Sequence, residues 1–170
     1  MRRLIGPLVL GLILGAADAN ADAYLYQAEC KDSYSKQGKQ SDDLTKKKGK
    51  PIRCDAVVFA LLDNGRVSVQ FADKKSKFTP LGFTGNGLDH ELNPNFVSIP
   101  LDSISLPHES NPEVAQTVSG IEGYCFVNGA FNVRSLESFV CAAKMEIGEE
   151  KLVYHIEARA KGLGEKGPGM

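Results

Sequence analysis

Apolar and polar positions alternate along most of this chain. Tyr24, Tyr26, Ala28 and Cys30 fall on one face of a strand. Residues 52–62 form a β-branched and aromatic run. After Asp63-Asn64-Gly65, Val67, Val69 and Phe71 alternate over residues 66–72. Two such runs joined by Asn-Gly predict a hairpin with a type I′ turn. The same signature returns at 121–127, Asn128-Gly129 and 130–133. Residues 96–104 predict a strand that Pro100 pushes towards an edge or a bulge. Residues 151–160 alternate cleanly. Over residues 136–147 two patterns compete. Leu136, Phe139, Val140, Ala143 and Ile147 fit a helix stripe, and Phe139, Cys141, Ala143, Met145 and Ile147 fit a strand face. The strand is favoured, because Gly148-Glu149-Glu150 supplies a turn into the strand that follows.

Other stretches break the alternation. Residues 31–50 have Leu44 as their only large aliphatic side chain and read as a long exposed loop. Residues 78–95 carry Pro80, Gly82, Gly85, Gly87 and Pro94 and predict an irregular loop or a short strand pair. Those glycines read as turn residues at positive φ. Ser110-Asn111-Pro112-Glu113 is a capping box, with Val114 and Val118 one turn apart and Gly120 after them, which predicts one short helix. Residues 161–170 are rich in glycine and read as a flexible tail. The fold expected is mainly β: an antiparallel β-sandwich or small β-barrel, with at most one or two short helices, stapled by two disulfides.

The first 23 residues have a different layout. Arg2-Arg3 is a basic start, residues 4–15 are apolar, and Ala17, Ala19, Ala21 and Ala23 form three overlapping A-x-A sites. This is the three-part pattern of a secretory signal peptide of bacterial type. The apolar stretch is too short to span a bilayer, so no transmembrane segment is expected in the mature chain. Cleavage after Ala23 is favoured, with Ala21 and Ala19 as alternatives. The organisation expected is then a signal peptide over 1–23, a single secreted β-domain over 24–160, and a tail over 161–170, in the periplasm or the medium.

Both compartments permit disulfides. Cys30, Cys54, Cys125 and Cys141 are even in number and lack C-x-x-C spacing. Three connectivities are open. Cys30–Cys54 and Cys125–Cys141 are favoured, because each pair flanks a polar or turn-rich connection between two apolar segments.

With 20 Lys+Arg against 21 Asp+Glu, the formal charge of −1 excludes a globally basic nucleic-acid binder. The charge is unevenly spread. Between Cys30 and Cys54, eight basic residues face three acidic ones, Asp32, Asp42 and Asp43. Lys46, Lys47, Lys48 and Lys50 are therefore the candidate binding residues, suited to an envelope protein or a polyanionic surface. Sequence-tolerant binding of single strands wants several stacking aromatics, and this interval holds Tyr34 alone, so no specific nucleic acid is expected.

Catalytic chemistry finds little support. Asp89-His90-Glu91 places three potential ligands side by side, but neighbours on a strand point to opposite faces. His108 and His155 are isolated and read as surface or rim residues. Gly82-Phe83-Thr84-Gly85-Asn86-Gly87 lacks the spacing, the helix and the Lys-Ser/Thr of a phosphate loop. No catalytic residue, metal or cofactor is nominated. Three functions remain open: a non-enzymatic binding or interaction protein; a small-ligand carrier barrel with its mouth at 78–95; and, least favoured, a metal-dependent hydrolase at Asp89-His90-Glu91.

Overall fold

A computed structural model describes residues 22–62, 64–76, 80–87, 96–108, 110–129 and 133–167. The chain forms β1 (Asp22–Lys39), β2 (Lys50–Pro51), β3 (Ala56–Leu61), β4 (Arg66–Ala72), β5 (Leu81–Asn86), β6 (Phe96–Pro107), β7 (Ala115–Ser119), β8 (Glu122–Gly129), β9 (Leu136–Ile147), β10 (Glu150–Ala160) and β11 (Glu165–Lys166). All pairings are antiparallel. The strand order β10-β9-β8-β6-β5-β4-β3-β1 closes on itself through β1–β10, giving an eight-stranded barrel, with β2, β7 and β11 as additions.

Two long strands make closure possible. Residues 22–27 of β1 pair with β3, and residues 28–39 pair with β10. Between Lys31 and Tyr34 the register shifts, and Asp32 takes φ 49°. Ser33 is turned inward there; its hydroxyl lies 3.1 Å from the Glu157 carbonyl and accepts the Glu157 N–H at 3.0 Å. A bulge of this kind sharpens strand twist and lets one strand serve two parts of a barrel. On the opposite side, β6 pairs with β8 through residues 96–100 and with β5 through residues 101–105. Gly85 sits at that transfer, where a Cβ would come within 2.0 Å of the Pro100 carbonyl oxygen.

Side chains fill the barrel. Tyr26, Phe83, Phe139, Ile99, Ile104, Ile156, Val57 and Val69 are fully buried. Phe139 meets Tyr26 edge-on at 5.2 Å, and Phe71 meets Phe83 edge-on at 5.8 Å. The Tyr26 hydroxyl donates to the Val133 carbonyl, and burial pushes its pKa up to about 12. Both favoured disulfides are present. Cys125 and Cys141 face each other directly across β8 and β9, inside the core. Cys30–Cys54 closes the excursion that carries β2.

Several expectations are corrected. The exposed loop predicted over 31–50 begins late: residues 31–39 continue β1, because β10 supplies the ladder that their own side chains do not call for. The helix predicted after Ser110 is absent, and residues 115–119 form β7 against β6. Asn64-Gly65 does not form a type I′ turn. Of these two residues only Gly65 has positive φ (76°), the Gly65 N–H donates to the Leu62 carbonyl, and the Leu62 N–H donates to the Arg66 carbonyl. That is the pattern of a three-residue loop with a glycine bulge. Asn128 and Gly129 lie in the β8–β9 ladder opposite Ser138 and Leu136, so the turn comes later. Gly82 and Gly85 lie in β5 without positive φ, and Gly87, which follows β5, lacks it as well. The predicted tail is held through Gly167: β11 pairs with Tyr24 and Leu25, and Lys166 pairs with Asp22 at 2.7 Å. Residues 1–21, which hold most of the expected signal peptide over 1–23, and Asp89-His90-Glu91 lie outside the described residues.

Candidate functional site

The alternation that buries Cys125, Val127, Cys141 and Ala143 turns their neighbours outward. On β8 those neighbours are Tyr124 and Phe126, which are aromatic and 55% and 43% exposed. Their rings stack, with centroids 6.4 Å apart and planes 23° apart. Register extends this pair into a row across six strands. Pro100 faces Tyr124, Tyr124 faces Ala142, Ala142 faces His155, His155 faces Tyr34, and Tyr34 faces Pro51. Tyr34 and His155 pack with centroids 5.3 Å apart. Lys36 holds its ammonium 5.2 Å from the centre of the Tyr34 ring. The next row continues the apolar surface through Phe126 and Val140.

Charge on this face is balanced. Lys144 lies opposite Glu122, Lys31 opposite Glu157, and Arg159 opposite Glu29. The result is an aromatic centre with a mixed-charge margin, which is the anatomy of a protein-binding surface more than that of a polyanion groove.

The lysines nominated from sequence sit beside this face and are not equivalent. Asp43 caps the 3-10 turn Leu44–Lys46 by accepting the Thr45 N–H, and buried Leu44 anchors the turn. Lys46 pairs with Asp43 at 3.4 Å, and Lys47 pairs with Asp42 at 2.5 Å. The Lys47 hydrogen bond holds the Asp42 carboxyl below its ordinary pKa, and the Thr45 hydroxyl does the same for Asp43. Among the described residues, Lys48 and Lys50 have no such carboxylate. The basic cluster is thus reduced by half. The segment is also docked: Gly49 is so close against Tyr34 that a Cβ would fall 2.8 Å from that side chain.

One end of the barrel carries an apolar cavity of about 210 Å³, lined by Phe59, Leu61, Val67, Phe96, Val127 and Leu136 among others. This is smaller than the ~300–1,000 Å³ usual for ligand pockets. His108 is engaged locally, with its Nδ1 2.9 Å from the Ser110 hydroxyl. Among the described residues, no three His, Cys, Asp or Glu side chains converge as a metal site would require. No described helix is long and apolar enough to cross a membrane.

Sequence reasoning passed over Tyr124 and Phe126. The available signal was a strand apolar at every position from Tyr124 to Val127, which says that both faces have work to do. Set beside protein-family models, curated proteins and solved structures, the chain matches none of them.

Proposed function

We propose that this chain is an exported, non-enzymatic binding protein that docks a protein partner of the cell envelope on the outer face of β6, β8 and β9. The observation that carries the reading is the exposed, stacked Tyr124–Phe126 pair, from which an aromatic and apolar row runs across the neighbouring strands. Aromatic side chains are enriched at interface centres, where they bring large contact area at little entropic cost. The balanced charges around them favour a protein over a polyanion. The side chains that fill the core make a carrier the weaker alternative.

Export rests on the basic, apolar and small-residue layout of the first 23 residues, and the two disulfides suit an oxidising compartment. Of the three processing sites, the one after Ala21 keeps β1 whole. Asp22 and Ala23 pair with Leu61 and Ala60, and Asp22 also holds Lys166. N-terminal sequencing of the exported protein should therefore begin at Asp22; a start at Tyr24 would overturn this choice.

The docking face is tested by replacing Tyr124 and Phe126 with Ser, beside a second variant, Lys48→Glu with Lys50→Glu. Because all four side chains lie at the surface, both variants should melt as the wild type does. Capture from envelope extract should lose its partner with the aromatic variant and keep it with the lysine variant. The reverse pattern would restore the polyanion reading. Equal capture by all three proteins would refute both.

A further inference from the structure

Among the described residues, β7 has one side covered and one side open. It pairs with β6 alone, from Pro107 opposite Ala115 to Ser103 opposite Ser119. Two backbone bonds at its ends fix the phase: the His108 N–H donates to the Val114 carbonyl at 2.8 Å, and the Gly120 N–H donates to the Asp102 carbonyl at 3.0 Å. Backbone groups alternate in direction along an antiparallel strand, so Gln116 and Val118 also turn theirs towards β6. Ala115, Thr117 and Ser119 turn their N–H and C=O groups away from it. Among the described residues, no strand takes them up.

Exposed edges are commonly guarded by lysine, proline or an inward charge. The segment Ala115-Gln116-Thr117-Val118-Ser119 contains none of these, and only its shortness protects it. Its side chains are also compatible with a copy of themselves. With two β7 strands antiparallel about a two-fold axis at Thr117, Thr117 faces Thr117, and Ala115 faces Ser119 on each side. All three outward residues of each strand then join hydrogen-bonded pairs, giving about six bonds. Registers centred on Gln116 or Val118 keep only two of those pairs. No like charges meet anywhere along the five residues, and a Thr–Thr cross-strand pair is a favourable one.

We infer that the β7 edge is a self-association site, at which a second copy of this chain adds its own β7 in the Thr117-centred antiparallel register. The contact is isologous, so it closes at a dimer and does not propagate into fibres. It is separate from the aromatic face and does not depend on the function proposed for that face.

The test uses sedimentation of the folded protein over a wide concentration range, with amide exchange as a second readout. Wild type should show a concentration-dependent dimer, with the Ala115, Thr117 and Ser119 amides slowing in exchange as it forms. Thr117→Lys sets two lysines opposite each other and should weaken the dimer at least ~10-fold, and Thr117→Glu should do the same. Mixing these two variants should restore association as a heterodimer, which a mere folding defect would not do. A wild type that stays monomeric up to roughly millimolar concentration would overturn the inference. So would a dimer indifferent to Thr117→Lys, or variants that fail to re-associate on mixing. Protection of the three amides only when envelope extract is added would mean that another chain's strand occupies the edge, which also overturns self-pairing.

Discussion

The two disulfides set loop length against burial, and the comparison between them can be worked from the structure. Cys30 and Cys54 are separated by 24 positions, and Cys125 and Cys141 by 16. In the chain-entropy account, closing these loops stabilises the fold by about 3.5 and about 3.1 kcal/mol respectively. On loop length alone, removing Cys30–Cys54 should cost slightly more. Burial reverses the order. Cys125 and Cys141 are both 0% exposed, whereas in the other pair Cys54 is 9% exposed and Cys30 is only partly buried. Truncating each fully buried sulfur forfeits about 1 kcal/mol of apolar burial. We therefore expect C125A/C141A to cost about 5 kcal/mol and C30A/C54A about 4.5 kcal/mol. The two loops do not overlap in sequence, so the costs should add in the four-alanine chain. That total is comparable to the ~5–15 kcal/mol stability of an ordinary domain, and the four-alanine chain should be largely unfolded at 37 °C. Guanidinium unfolding under non-reducing conditions, with midpoints and slopes for all four proteins, measures these quantities. If C30A/C54A proves the costlier pair by more than about 1 kcal/mol, loop entropy outweighs core packing here and the reasoning fails.

Two glycines should respond to alanine in different ways. Gly148 has φ 60° with nothing near its missing Cβ, so Gly148→Ala should cost about 1 kcal/mol from the backbone alone. Gly85→Ala drives a Cβ into the Pro100 carbonyl and should cost about 3 kcal/mol; thermal melts showing equal losses would contradict the account of the β5–β6 transfer. Burial raises the Tyr26 pKa from its ordinary 10.0 to about 12, so its contribution is complete below pH 10 and is lost as pH rises towards 12, where the unfolded chain ionises first. Tyr154 is shifted upward by burial in the same direction. Tyr26→Phe should therefore lose about 1 kcal/mol at neutral pH with the Val133 bond, yet lose less on going from pH 9 to pH 12 than wild type does. An alkaline unfolding profile identical to that of wild type would refute this. Leu44→Ala should release the 3-10 turn and speed tryptic cleavage at Lys46, Lys47 and Lys48 with little change in global stability; unchanged cleavage would mean that Leu44 does not anchor the segment.

The sequence by itself determined the strands whose two faces differ. Tyr26 and Ala28 alternate with Gln27 and Glu29, as Val67, Val69 and Phe71 do with Arg66, Ser68 and Gln70, and burial of one face is enough to specify an extended chain. It also favoured the correct cysteine pairs, since each lies across a short connection between neighbouring apolar runs. Local patterns stop at the choice of partner. Residues 31–39 have no apolar face of their own and are a strand only because β10 offers its backbone along their length. Residues 110–120 carry the signals of a capped helix, and pairing with β6 overrides them. The same holds for the C-terminal residues that reach back to Tyr24 and Leu25. A hydrogen-bonded ladder is satisfied by whichever strand closure brings alongside, and closure is a property of the whole barrel. The aromatic row follows the same logic. Tyr124, Ala142, His155 and Tyr34 are scattered along the chain, and register across six strands, β2 and β6 included at its ends, is what sets them in line.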